Sequence, residues 1–121
     1  MSGHQRTHTI LHFCCDRAVL SWRGTFLGDV GYRVLNSSNG FETIELSACE
    51  RVDAVVLDLD HNRDEVTLIA QKIKRLRPQV PTIVLTEGML SVEGVREWAD
   101  ALVPKEDDPE ALVQSLEKEL N

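Results

Sequence analysis

Three side chains of complementary chemistry stand at the ends of short apolar runs. Asp58 lies in the run 54–59, Thr86 directly follows 82–85, and Lys105 comes just after 101–103. Together they can handle a phosphoryl group. A carboxylate attacks phosphorus, a hydroxyl donates to a phosphoryl oxygen, and an ammonium offsets the charge that gathers there. Taken singly, each has a plainer explanation: an Asp behind a strand is commonly a turn former or helix cap, and a strand-end Lys is commonly just solvated. What gives the three their value is the set of elements that positions them.

Those elements alternate. Apolar runs at 9–13, 33–35, 54–59, 82–85 and 101–103 read as strands, and 54–57 and 83–85 are apolar throughout, as in strands buried on both faces. Between them, Val19, Trp22, Phe26 and Val30 repeat at helical spacing, as do Val66, Ile69, Ile73 and Leu76. Leu112, Leu116 and Leu120 follow Asp107-Asp108-Pro109, an acidic N-cap with proline in the first turn. Segments 41–50 and 92–99 are further helical candidates, and Asn39-Gly40 and Gly31 supply punctuation. Five strands alternating with five helices predict a doubly wound α/β domain with a parallel sheet covered on both faces. The predicted core includes Phe26, Val56, Leu57, Ile73, Val84 and Leu116. In such a sheet the site lies at the carboxyl ends of the strands, which selects Cys14, Cys15, Asp16, residues 58–64, Thr86, Glu87 and Lys105.

Composition narrows the class. At 121 residues and 42% hydrophobic, the chain suits one domain with a real core, read as a polar tail over 1–8 and a folded unit over 9–121. A net charge of −7 disfavours a nucleic-acid backbone as partner, and no apolar run is long enough to span a membrane. Three cysteines, two of them adjacent, do not make a disulfide framework; with no apolar leader at the N-terminus, a reducing, cytoplasmic setting is expected.

Along Ile10–Asp16, Gly31–Val34, Asn39-Gly40, Asp53–Asp58, Pro81–Thr86, Ala99–Lys105 and Asp108–Leu112 the chain resembles the receiver domain of two-component response regulators. That resemblance implies a flavodoxin-like (βα)5 three-layer sandwich with strand order 2-1-3-4-5. It also implies phosphotransfer from a histidine kinase to Asp58, with Thr86 as the switch hydroxyl and Lys105 as the phosphate-pairing lysine. A homodimer is expected through the face carrying Trp98, Leu102, Leu112 and Leu116.

The departures from the family concentrate at the site. Receivers carry two adjacent acidic residues after the first strand that help hold Mg2+; here they are Cys14 and Cys15. Magnesium wants hard oxygen ligands, so the resemblance implies at most a weak Mg2+ site of Asp58, Asp60 and Asp16. The loop 59–65 lacks the usual Pro and Asp-Gly, Lys105 is followed by Glu106 rather than proline, Leu102 stands where an aromatic is common, and Thr86 and Lys105 are closer in sequence than usual. An atypical receiver that signals mainly through protein contacts is expected, with a conventional phosphorylated receiver as the alternative. A soft-metal or redox cluster of Cys14, Cys15, His12 and His61 is a remote third reading; adjacent cysteines make a poor tetrahedral pair. No nucleophile–base pair, glycine-rich phosphate loop or dinucleotide fingerprint points to a turnover enzyme; autophosphotransfer is the most catalysis expected. His4, His8 and His12 recur every four residues, but in a segment that leads into a strand. The basic group Lys72, Lys74, Arg75 and Arg77 reads as charge favourable to a helix C-terminus.

Overall fold

The computed structural model describes residues 7–60, 62–88, 91–105 and 108–121. Five strands, β1 (Thr9–Phe13), β2 (Arg33–Ser37), β3 (Ala54–Asp58), β4 (Thr82–Thr86) and β5 (Ala101–Pro104), pair in parallel in the order β2-β1-β3-β4-β5. This is the flavodoxin-like sheet. Helices α1 (Arg17–Val30), α2 (Gly40–Cys49), α3 (Arg63–Leu76) and α4 (Pro109–Leu120) cover it.

Strand alternation divides the core in two. Ile10, Ala54, Val56, Ile83 and Leu85 pack with Leu27 of α1 and with Leu112 and Leu116 of α4. Leu11, Phe13, Val55, Leu57 and Val84 pack with Val66, Ile69 and Ile73 of α3. Every position of β1 and β3 is buried, because both strands are covered on both faces. The helix ends follow local chemistry. Asp16 Oδ1 accepts from the backbone N–H groups of Ala18 and Val19, and Asp108 Oδ1 from that of Glu110, ahead of Pro109. Gly31 closes α1 at a φ of 121°, a conformation that L side chains rarely adopt.

Four expectations need correction. The inward stripe of α1 is Arg23, Gly24 and Leu27, not Val19, Trp22, Phe26 and Val30; Trp22 is 56% exposed and Phe26 only half-buried. The helix is thus rotated by about one position relative to its apolar pattern, so Arg23 points inward. Segment 92–99 is not an α-helix but a 3-10 turn at Arg96–Trp98, preceded by Gly94 at a φ of 85°, which no α-helix accommodates. Leu112 and Leu116, expected on a dimer face, are 4% and 0% exposed in the domain's own core. Leu76 lies on the surface although its stripe partners are buried.

The basic group at the end of α3 ties elements together. Lys74 pairs with Asp100 at 2.6 Å, Arg77 donates to the carbonyls of Ser47 and Ala48, and Arg75 lies over the Trp98 ring. His4 and His61 lie outside the described residues, and His12 is in β1, a strand.

Candidate functional site

The alternation that turns Ala54 and Val56 toward α1 and α4 gives Asp58, at the end of β3, the same side. Asp58 is 5% exposed, and both of its carboxylate oxygens are engaged. Oδ1 is paired with Lys105 Nζ at 2.5 Å, and the same ammonium donates to the Leu59 carbonyl at 2.6 Å. Oδ2 accepts from Arg23 Nη1 at 2.8 Å. The structure therefore brings Asp58 and Lys105 together as expected and adds a second cation that the sequence reading missed. The available signal was the i, i+4, i+8 series Val19, Arg23, Leu27, masked by the more conspicuous aromatic stripe. Thr86 ends β4, one step beyond Leu85, the register partner of Asp58, and its carbonyl accepts from the Lys105 backbone N–H at 2.7 Å.

Behind Arg23 stands His12. Its Nδ1 is 3.0 Å from Asn36 Oδ1, an acceptor, so Nδ1 carries the proton and Nε2 accepts from Arg23 Nη1 at 3.3 Å. Burial pulls the His12 pKa down to about 4, with the Arg23 charge adding to it and the Asn36 bond and Asp58 charge opposing. The folded protein thus holds His12 neutral where the unfolded chain protonates it. The associated stability is fully present above pH ~6.5 and is lost as pH falls toward 4, by about 3 kcal/mol in all. Urea unfolding at pH 7 and pH 4.5 is expected to show a larger drop for wild type than for His12→Gln. Equal drops would remove His12 as the titrating group.

The two residues after β1 are thiols, not carboxylates. Cys14 is buried, its thiol pushed up by burial and by the Asp58 charge. Cys15 is exposed; desolvation and the carboxylates of Asp60 and Glu65 push it up to about 12, and its Sγ lies 3.8 Å from Glu65 Oε1. Both thiols keep their protons at neutral pH and are poor metal ligands. Asp16 spends an oxygen on capping α1, and Asp60 Oδ1 accepts from the Asn62 backbone N–H at 2.8 Å. Among the described residues no group of three or more His, Cys, Asp or Glu side chains could hold a metal ion. The expected cluster of Asp58, Asp60 and Asp16 does not assemble, and the residues present do not fit a Mg2+ site. The soft-metal cluster fares no better among the described residues, since His12 is committed to Asn36 and Arg23.

Comparison with known proteins shows what the chain is similar to. No protein-family model matches the chain. The solved CheY-like response regulator receiver domain protein of Methanospirillum hungatei JF-1 is 25% identical, with a TM-score of 0.85 over 95% of this chain and 94% of that one. The transcriptional regulatory protein GlrR of Escherichia coli K12 is 27% identical across 98% of this chain. The chain has the CheY-like receiver fold. The chain spans 27% of the length of GlrR and the same share of QseF from Escherichia coli O157:H7. Its fold also matches the response regulator TrrA of Thermotoga maritima, solved in complex with Mg(2+)-BeF, at 21% identity and a TM-score of 0.85 over 94% of this chain and 100% of TrrA. No helix among the described residues is long and apolar enough to cross a membrane.

Proposed function

We propose that this receiver is atypical. Asp58 keeps the phosphoacceptor position, Thr86 supplies the hydroxyl and Lys105 the pairing ammonium, while the magnesium site is degraded and output runs mainly through protein contacts. One observation carries this reading: both Asp58 oxygens are paired with cations of the chain itself, beside thiols in place of the usual acidic pair. A carboxylate nucleophile needs a free lone pair aimed at phosphorus, and strong hydrogen bonds to two cations, one of them buried, stabilise the ground state that must be disrupted. The role is signalling rather than turnover, with autophosphotransfer the most that Asp58 supports.

The partner is a histidine kinase or another signalling protein in the cytoplasm; nucleic acid and membrane are not partners of this acidic domain. A homodimer would have to rest on Trp98 and Leu102, which stay partly exposed, since Leu112 and Leu116 are spent in the core. Beside the site, Trp22 stacks on Phe26 with ring centroids 6.1 Å apart and offers a large exposed ring to a protein partner.

Incubation with acetyl phosphate and Mg2+, followed by intact-mass measurement, is expected to show slow, low-yield labelling that Asp58→Asn abolishes. Rapid stoichiometric acyl-phosphate formation would establish the conventional phosphorylated receiver instead.

A further inference from the structure

Deepening that reading of the pocket, we propose that Arg23 is the site's resident cation, a guanidinium built into α1 that holds Asp58 in place of a divalent metal ion and is itself positioned by His12 and Asn36. The pair is enclosed: the Arg23 and Asp58 side chains are 10% and 6% exposed, and their contact is a charge-assisted hydrogen bond of 2.8 Å. Lys105 takes the other oxygen, so one carboxylate faces two fixed positive charges. With uncharged thiols at Cys14 and Cys15, a divalent cation entering here finds both Asp58 oxygens already taken by fixed cations and no carboxylate at the two positions after β1.

A cradle around Arg23 shows that its placement is specified. Only a neutral imidazole can accept from a guanidinium; the Asn36 bond fixes the tautomer that leaves Nε2 free to do so, and burial keeps the ring neutral. Asn36 reaches His12 across Gly24, where a Cβ would stand 2.5 Å from Asn36 Nδ2. Four residues from three elements (His12 of β1, Arg23 and Gly24 of α1, Asn36 of β2) thus converge on the orientation of one guanidinium. A guanidinium carried on α1 cannot diffuse away, so the charge balance of the pocket is a property of the polypeptide and does not follow the Mg2+ concentration.

The test compares melting temperatures in EDTA and in saturating MgCl2 for wild type, Cys15→Asp, Arg23→Gln and the Arg23→Gln/Cys15→Asp double variant. Wild type and Cys15→Asp are expected not to respond, because Arg23 remains in the pocket. The double variant, cleared of the guanidinium and given a second carboxylate, is expected to gain several degrees in a saturable manner. An equal Mg2+ response in Cys15→Asp alone would overturn the proposal, since Arg23 would then not be in the cation's place. Should the Arg23 variants fail to fold, wild type alone suffices. Mn2+, a paramagnetic probe, is expected to cause no selective broadening of the amide signals around Asp58, and such broadening would overturn the proposal. Labelling separates this inference from the reading it deepens. Fast labelling of wild type by acetyl phosphate in EDTA would end the slow-acceptor reading while supporting Arg23 as the cation. Labelling that requires Mg2+ and is fast would end both.

Discussion

Val56→Asp is expected to leave the domain largely unfolded at room temperature. Val56 is fully buried in β3, in register with His12 on one side and Ile83 on the other, and packs in the layer shared with Leu27, Leu112 and Leu116. The substitution removes apolar contacts and places a carboxylate where the nearest buried cation, Arg23, is already committed to Asp58. An unpaired buried charge together with lost packing costs about 5 kcal/mol or more, comparable to the whole stability of many domains this size. Circular dichroism at 25 °C checks it. A variant with wild-type melting behaviour would mean that β3 is not the central strand described here.

Asp58→Asn is expected to destabilise the protein by about 4 kcal/mol, lowering the melting temperature by about 15 °C. The sign is the informative part. In a pocket crowded with carboxylates, neutralising one relieves repulsion and stabilises the fold. In this pocket Asp58 is the counter-ion of Arg23 and Lys105, so a neutral amide leaves two cations, one of them almost completely enclosed, without their anion. Replacing the buried pair together, as Arg23→Met/Asp58→Leu, removes both charges and is expected to recover much of the loss. Differential scanning calorimetry on the three proteins decides the matter. A neutral or stabilising Asp58→Asn would show that the Arg23–Asp58 pair is not formed in solution.

The sequence by itself determined the sheet and most of its covering. Unbroken apolar runs such as 54–57 have few alternatives to a strand buried on both faces, and Asp108-Pro109 and Asn39 mark helix starts through bonds that are local in sequence. Asp58, Thr86 and Lys105 were legible for the same reason: strand ends in a parallel sheet gather at one edge whatever the helices do. Five of the six predicted core residues are fully buried, and the sixth, Phe26, failed with the α1 stripe that contained it. Tertiary structure decided what periodicity cannot see. The 92–99 pattern supported a helix, but Gly94 takes a positive φ and leaves only a 3-10 turn. The apolar residues of α1 pointed to an aromatic face, yet the docked helix turns Arg23 inward and leaves Trp22 exposed. That rotation has a physical reason spread over five positions. A buried carboxylate at Asp58 needs a cation, Cys14 and Cys15 contribute no negative charge to draw one from solution, and His12 and Asn36 offer the guanidinium its remaining bonds. No window along the chain contains that arrangement; it exists only where β1, β2, β3 and α1 meet.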